Sequence, residues 1–357
     1  IKMKKIVLCA ALLFIIGGIN SYSNIKGVRK TMEVEKNYVK EWDKKFPKSN
    51  KVDHQKVSFK NRYGIVIAAD LYVPKNIGNK KLPAIAISGP FGAVKEQSSG
   101  LYAQTLAERG FVTVAFDPSY TGESGGEPRN IASPDINTED FSSAVDFLGL
   151  QTFVDRDKIG VLGICGWGGM ALNVASMDTR IKAVATSTMY DMTRLMSKGY
   201  NDSMTTEDRF KTLQQLNNQR WIDAENGNNT PTPGGLPENP DENTPKFIAD
   251  YASYYKKPRG FHARSINSNG SWSLTSALSF MNMPLLSYAS EIRIPTLIVA
   301  GEKAHSLYFS EDAYKAVGSK NKELFIIKDA SHVDLYDNNA GKIPYDKFES
   351  FFRNNLK

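Results

Sequence analysis

The chain has 357 residues, of which 41% are hydrophobic and 23% are charged, and its formal net charge at pH 7 is +7. This composition is typical of a globular protein with an ample hydrophobic core, and it excludes a disordered or fibrous chain. Three lysines, Lys2, Lys4 and Lys5, lie near the N-terminus, and the remaining excess of positive charge is spread thinly. We therefore expect a solvated surface and no nucleic-acid partner.

Residues 1–23 have the pattern of a secretory signal peptide. A basic start precedes a short apolar run at residues 6–16, and the residues that follow are small and polar. The apolar run is too short to cross a bilayer. We expect an exported protein, periplasmic or extracellular, with no stable membrane span after cleavage near Ser21 or Ser23. An uncleaved anchor is the alternative.

The next segments predict an attached helix and then a hairpin. Residues 24–56 are rich in Lys and Glu with scattered apolar positions, which favours an amphipathic helix packed on the body of the protein. Residues 57–74 alternate apolar and polar side chains around a turn at residues 61–64. This alternation is typical of an antiparallel β-hairpin.

From Leu82 onward, buried strands alternate with helices, which indicates a mostly parallel sheet with helices on both faces. The rhythm stops at about residue 190 and resumes at about residue 290, so the residues between them are predicted to form a helical cap within a domain over residues 57–357. The strands are predicted at residues 83–88, 111–116, 159–164, 183–188, 295–300 and 324–328, and the helices at residues 97–109, 138–150, 206–226, 247–255, 274–281, 311–317 and from Tyr345 to the end.

The stretch from Lys158 to Ala171 reads K-I-G-V-L-G-I-C-G-W-G-G-M-A. A strand, a tight turn that carries a nucleophile and a helix follow one another here, as in a nucleophile elbow. Trp167 stands where the second glycine of G-x-S-x-G would fall. Counting from the strand makes Cys165 the nucleophile, whereas the registers centred on Gly166 or Trp167 leave no group that can attack a carbonyl.

Cys165 is the only cysteine that remains after removal of the signal peptide, because the other one, Cys9, lies within it. No intramolecular disulfide can then form. A single thiol in an exported protein is either buried and inert or retained for its chemistry. Its position between a strand and a helix favours the second reading.

A thiol nucleophile needs a base and a group that orients the base. Of the four histidines, His332 follows the last predicted strand and is the preferred base, ahead of His305. His262 in the cap and His54 on the hairpin are weaker candidates. Glu302, at the end of the preceding strand, is the preferred acid.

Three further kinds of candidate belong to the site: a second acid, two oxyanion donors and a pocket-lining residue. Asp191 ends the strand before the cap and competes with Glu302 as the acid. The N–H groups of Phe91 and Gly166 are the predicted oxyanion donors, since Pro90 has no N–H to offer. Trp167, with aromatic residues of the cap, is expected to line an apolar acyl pocket.

The order Cys165, Glu302, His332 resembles that of the α/β-hydrolase superfamily. The run at residues 117–124 and the sequence D-R-D-K-I-G-V-L-G-I-C before the elbow are also similar to that superfamily. More narrowly, the chain resembles dienelactone-hydrolase-like and acetyl-xylan-esterase-like members. The resemblance covers residues 57–357, and it implies an α/β-hydrolase fold, hydrolysis of an ester or similar acyl bond, and no metal or organic cofactor. One departure is Ala304, which stands where an Asp is usual.

These observations predict an esterase whose partner is a small-molecule acyl substrate. Cys165, with a pKa lowered by the helix N-terminus and by a nearby imidazolium, would form a covalent acyl-enzyme. His332, oriented by Glu302, would serve as the base. A catalytically inactive exported ligand-binding protein is the alternative from another class, and a peptidase or a thioesterase is the alternative among enzymes.

Overall fold

A computed structural model describes residues 38, 39 and 41–357. The predicted signal peptide lies outside these residues. Within the described part of the chain, no helix is both long enough and apolar enough to span a membrane. The prediction of a helix over residues 24–56 is wrong for the part of this region that the structure describes: residues 41–51 are irregular, and a strand begins at Val52. Helix fails there because Pro47 would remove a hydrogen bond and restrict the residue before it.

In the described residues, eight strands form one sheet in the order β1-β2-β4-β3-β5-β6-β7-β8. β2 pairs antiparallel with both β1 and β4, and all the other neighbours are parallel. The predicted hairpin is therefore confirmed, and so is the mostly parallel sheet. The strands are β1 (Val52–Lys60), β2 (Val66–Pro74), β3 (Leu82–Ser88), β4 (Val112–Phe116), β5 (Val154–Ile164), β6 (Ile181–Ser187), β7 (Thr296–Gly301) and β8 (Lys322–Ile327).

Helices cover both faces of this sheet. α1 and α10 pack against each other, and α2 packs against α3. The segments between β6 and β7 include α4 to α8, which lie in the predicted cap insertion. The helices are α1 (Ser98–Glu108), α2 (Pro134–Gly149), α3 (Gly166–Met177), α4 (Met192–Lys198), α5 (Thr206–Asn226), α6 (Lys246–Tyr255), α7 (Ile266–Asn269), α8 (Ala277–Asn282), α9 (Leu307–Ala316) and α10 (Tyr345–Asn355).

From β3 onward the predicted elements match the observed ones, but three of them begin four or five residues earlier than expected. α2 starts at Pro134 because proline is well suited to the first helical position, where its missing N–H costs nothing. β5 starts at Val154, because a polar segment precedes the apolar run at residues 159–164 on which the prediction was based. α9 starts at Leu307, four residues before the predicted start.

The parallel strands end along one edge of the sheet, and five residues that follow them come together there. Phe91 follows β3, Cys165 follows β5, Thr188 follows β6, Ser306 follows β7 and His332 follows β8. In open α/β sheets, functional groups gather at the carboxyl ends of the strands. This edge, with the cap helices beside it, holds the candidate site.

Candidate active site

Cys165 forms the sharp turn between β5 and α3. Its backbone has φ 56° and ψ −127°, a conformation that an L-residue adopts only under strain. The surrounding chain holds the turn, because the Cys165 N–H donates to Ser187 O at 3.0 Å and the Gly168 N–H donates to Cys165 O at 2.9 Å. Gly163 lets the strand approach the helix, since a Cβ there would lie 2.0 Å from Trp167 O. The structure therefore places Cys165 on the strand-to-helix turn where the sequence predicts the nucleophile.

Trp167 was expected to line an acyl pocket, but it does not line the cavity beside Cys165 that is described below. It is buried in the core, where its ring packs edge-on against Phe116 and Phe141 at centroid distances of 5.6 and 5.5 Å. The glycine that follows it has a packing role, because a Cβ on Gly168 would lie 2.4 Å from Met189 Cβ. Gly168 and Gly169 therefore allow close packing between α3 and the loop after β6. They do not change which residue forms the turn, which is Cys165.

The backbone N–H groups of Gly166 and Phe91 both donate to the Cys165 sulfur. They are the two predicted oxyanion donors, and their convergence on the sulfur is the arrangement that a pair of donors to a nearby oxyanion requires. The loop that carries Phe91 is held by the cap. Asn267 Nδ2 donates to Phe91 O at 2.7 Å, and Ser265 Oγ donates to Gly92 O at 2.8 Å.

His332 is buried and surrounded by hydroxyl groups. Its Nδ1 lies 2.9 Å from Thr188 Oγ1 and 2.6 Å from Ser306 Oγ, and its Nε2 lies 2.9 Å from the Tyr336 hydroxyl. The same Tyr336 hydroxyl also hydrogen-bonds to the Cys165 thiol. Cys165 and the predicted base are therefore linked through a tyrosine that the sequence analysis did not select.

Neither predicted acid contacts His332. Glu302 is exposed, and its Oε2 accepts a hydrogen bond from Asp329 N at 2.9 Å. Asp191 caps α4, where its Oδ1 accepts from the N–H groups of Thr193 and Arg194. Within the part of the chain that the structure describes, no carboxylate hydrogen-bonds to His332. Ser306 and Thr188 stand where the expected carboxylate would orient the ring.

The protonation states differ from the expected thiolate and imidazolium. Burial raises the pKa of the Cys165 thiol, and the hydrogen bonds from Tyr336, Gly166 and Phe91 offset only part of that effect. Burial also holds the pKa of His332 well below its ordinary value, and neighbouring His305 lowers it further. The expectation of a lowered thiol pKa is wrong, because burial outweighs the helix N-terminus. At neutral pH the site holds a neutral thiol beside a neutral imidazole.

Alkylation of Cys165 by iodoacetamide is expected to be slow at pH 7 and to accelerate as the pH rises above 9, because only the thiolate reacts. The matched control is the same protein unfolded in urea, whose thiol titrates at about 8.5. Mass spectrometry after timed quenching gives both profiles. A native profile that reaches its plateau below pH 7 would show a thiolate–imidazolium pair and contradict the neutral resting state.

A cavity of about 270 Å³ opens above Cys165 and has a mostly aromatic wall. Among the residues that the structure describes, its lining contains no Asp, Glu, Lys, Arg or His, so a charged group would enter it without a charged partner from this part of the chain. The lining residues are Phe91, Cys165, Tyr190, Met192, Leu195, Tyr200, Leu236, Phe247, Tyr251, Tyr255, Asn267 and Tyr336.

His305 supports this wall from behind. Its Nε2 hydrogen-bonds to the Tyr190 hydroxyl and lies 3.3 Å from the Tyr251 hydroxyl, and its ring stacks on Phe247 at 4.8 Å. Burial lowers the pKa of His305 to about 4, so the ring is neutral at physiological pH and accepts hydrogen bonds. His305 therefore positions tyrosines that line the cavity.

Sequence reasoning missed the tyrosines and Asn267. One signal for Tyr336 was available, because it follows His332 by four residues on the same turn after β8. The other lining residues come from separate cap segments, and their meeting point depends on how the cap folds. No group of three or more His, Cys, Asp or Glu side chains in the described residues is arranged to hold a metal ion.

Comparisons with known proteins place this chain among hydrolases. The family model described as X-Pro dipeptidyl-peptidase (S15 family) matches residues 63–334. The uncharacterized protein PA2218 of Pseudomonas aeruginosa is 58% identical, over 98% of this chain and 94% of its own length. Its crystal structure, described as that of a hypothetical protein, superposes with a TM-score of 0.87 at 61% identity, and the match covers 91% of this chain and 99% of that one.

A further relative and a further solved structure are similar to this chain. The uncharacterized protein YcjY of Escherichia coli is 34% identical, over 80% of this chain and 94% of its own length. The structure of DcsB in complex with its substrate analogue has a TM-score of 0.72 at 22% identity, covering 85% of this chain and 100% of that one, which is a likeness of fold. The superfamily resemblance is confirmed, while the narrower one to dienelactone-hydrolase-like and acetyl-xylan-esterase-like members stays a prediction. The chain belongs to the S15 family, and with it to the α/β-hydrolase superfamily.

Proposed function

We propose that this protein hydrolyses a carboxylic ester of a neutral, largely apolar acyl group through a covalent acyl-enzyme on Cys165. The observation that carries this proposal is the position of the thiol, which faces an aromatic cavity beneath two converging N–H donors. A strained turn keeps it there. Strain of about 1–3 kcal/mol persists at a residue only where the surrounding structure enforces it, and such residues cluster at active sites.

The reaction runs in two halves. As the sulfur attacks the acyl carbon, the thiol proton passes to the His332 imidazole, and the oxyanion accepts hydrogen bonds from the N–H groups of Phe91 and Gly166. Collapse expels the alcohol, which takes the proton back. A water molecule then attacks the thioester, again with His332 as the base, and releases the acid together with the free thiol.

The orientation of His332 by hydroxyl groups favours esters as substrates. A base needs Nδ1–H as a donor and Nε2 as an acceptor, and Ser306 Oγ and Thr188 Oγ1 can both accept from Nδ1. Neutral hydroxyls stabilise the imidazolium less than a carboxylate does. An alkoxide or thiolate leaving group needs less help from that imidazolium than an amine, which must be protonated to leave.

A dipeptidyl-peptidase is the second candidate, and the description of the matching family favours it. Such a substrate carries a free α-ammonium group close to the scissile bond. The lining of the cavity holds no carboxylate to pair with that charge, and burying an unpaired charge is costly. We therefore rank an ester, or a thioester of similar shape, above an X-Pro peptide.

The test compares wild type with Cys165→Ala and Cys165→Ser on three chromogenic substrates: p-nitrophenyl acetate, S-phenyl thioacetate and Gly-Pro p-nitroanilide. Wild type is expected to hydrolyse the first two, with an initial burst of p-nitrophenol from the ester and of thiophenol from the thioester, and intact-protein mass spectrometry should show one acetyl adduct. Cys165→Ala should show neither the adduct nor turnover above the solvent rate, while Cys165→Ser retains the adduct at a reduced rate.

Three results would contradict the proposal. Turnover that survives in Cys165→Ala would show that Cys165 is not the nucleophile. Hydrolysis of the anilide alone would show that the protein is a peptidase. A rise in melting temperature on adding the corresponding acids, without turnover of any substrate, would support the ligand-binding alternative. The absence of a carboxylate beside His332 is the observation that favours that alternative.

A further inference from the structure

Tyr336 lies between the two groups that must exchange a proton. Its hydroxyl oxygen is 2.9 Å from His332 Nε2, and its side chain lines the same cavity as Cys165, where the hydroxyl acts as a hydrogen-bond donor that lowers the pKa of the thiol. His332 has no hydrogen bond to Cys165; the other partners of its ring are the hydroxyls of Thr188 and Ser306. In the described residues, the path from the thiol to the base therefore passes through one phenolic hydroxyl.

Building on the proposed function, we propose that Tyr336 is a catalytic residue that relays the proton between Cys165 Sγ and His332 Nε2. As the sulfur–carbon bond forms, the S–H proton moves to the Tyr336 oxygen while the phenolic proton moves to Nε2. The tyrosine ends neutral and the imidazole becomes an imidazolium. When the alcohol leaves, it takes a proton from the same relay, and the ring returns to its neutral form.

The packing around Tyr336 favours a relay over a side chain that swings aside. Its ring is fully buried, with Tyr254 at a centroid distance of 5.3 Å and Tyr255 at 5.9 Å. Backbone hydrogen bonds also hold this residue in place. The Tyr336 N–H donates to Val333 O at 3.0 Å, and the carbonyl oxygen of the preceding residue, Leu335, accepts from Tyr102 Oη at 2.7 Å. Rotating such a ring out of a close-packed site would break these contacts together.

The hydroxyl also keeps the proton that a relay needs. Burial raises the pKa of Tyr336 well above its ordinary value, and the hydrogen bond to Cys165 raises it further. The phenol is therefore neutral over the working pH range, and one neutral O–H can accept from the thiol while it donates to Nε2. A phenolate could only accept, and would not pass a proton on.

The test uses Tyr336→Phe, which removes one oxygen and keeps the buried ring, with Tyr254→Phe as the matched control. Tyr254 packs on Tyr336 but neither lines the cavity nor hydrogen-bonds to Cys165 or His332. We expect Tyr336→Phe to lower kcat/KM for p-nitrophenyl acetate by about 10²-fold or more. Tyr254→Phe should stay within about twofold of wild type, since it removes no group from the proton path.

A second measurement needs no ester. In Tyr336→Phe the iodoacetamide profile of Cys165 should move to higher pH, because the thiolate loses a hydrogen-bond donor, whereas Tyr254→Phe should not move it. If wild type hydrolyses no ester, the proposed function fails, and the alkylation profiles still decide whether Tyr336 acts on the thiol. A Tyr336→Phe variant that alkylates faster than wild type would identify the tyrosine as a plug, and an unchanged profile would overturn the relay.

Wild type alone supplies a third measurement in case Tyr336→Phe unfolds, which its melting temperature would reveal. Acylation rates in mixtures of H₂O and D₂O should fall along a bowed curve, since two protons move in the same step. A straight line reports a single moving proton and would overturn the relay.

Discussion

A His332→Gln variant is expected to lose on the order of 10³-fold or more in kcat/KM for p-nitrophenyl acetate. Glutamine approaches the volume of the imidazole and can hydrogen-bond to Ser306, but it cannot take up the thiol proton. Because the pKa of Cys165 is raised, little thiolate is present at pH 7 to act without a base. Steady-state kinetics at pH 7 and 9 would measure the loss.

The matched control for this variant is His54→Gln. His54 lies on β1 and hydrogen-bonds to Asp70 at 2.7 Å, remote from the cavity lining. The kcat/KM of the His54→Gln variant should remain close to that of wild type. Full activity in His332→Gln at pH 7 would contradict the role of this histidine as the base, whereas partial recovery at pH 9 would agree with it, since the thiolate then forms without help.

Replacing Lys95 by methionine is expected to destabilise the protein by about 3–5 kcal/mol. The Lys95 ammonium is fully buried and pairs with three carboxylates: Glu96 at 2.7 Å, Asp117 at 3.1 Å and Glu123 at 2.6 Å. Methionine fills a similar volume but leaves these carboxylates without their central cation, and an uncompensated buried charge is costly. Urea unfolding followed by tryptophan fluorescence would measure the change in the free energy of unfolding.

Lys303→Met is the matched control for this loss. Lys303 also forms one short ion pair, 2.6 Å to Asp329, but the two side chains are 65% and 52% exposed. Exposed pairs of this kind contribute about 0–1 kcal/mol. Equal destabilisation by the two substitutions would contradict the view that burial, rather than the ion pair itself, makes Lys95 critical.

The Lys95 cluster also bears on the candidate active site, because Lys95 belongs to the loop that carries Phe91, the proposed oxyanion donor. Its backbone N–H donates to Asp117 Oδ1 at 2.8 Å. Arg264, from the cap, reaches Glu96 at 2.9 Å in the same cluster. Together with Asn267 on Phe91 O, these contacts fix the loop from the sheet side and from the cap side. The cluster therefore orders an oxyanion donor as well as stabilising the fold.

The run at residues 117–124, which contributed to the family resemblance, has a structural role in the same cluster. Asp117 Oδ2 accepts from the Glu123 N–H at 2.8 Å, and Gly122 lets the loop close over it, since a Cβ there would lie 2.2 Å from that oxygen. Glu123 in turn pairs with Lys95 and with Lys56 on β1. The motif thus supports the site from behind and contributes no group to the cavity.

From residue 57 onward, the sequence by itself determined where most strands and helices lie along the chain, and it identified the turn that carries Cys165. Alternating apolar patterns follow directly from which face of an element is buried, so they can be read from local sequence. The same is true of the candidate base and oxyanion donors, because parallel strands bring their carboxyl ends to one edge whatever the details of packing. Cys165, Phe91, Gly166 and His332 all belong to this group.

Only the tertiary structure decided which groups surround them. Glu302 and Asp191 were plausible acids by position, but their side chains are used by Asp329 and by α4, and Ser306 and Thr188 occupy the place beside His332. The raised pKa of the thiol and the bridging hydroxyl of Tyr336 likewise depend on burial and on contacts between distant segments. Burial and side-chain direction are set by the packing of the cap on the sheet, and no local pattern in the sequence encodes that packing.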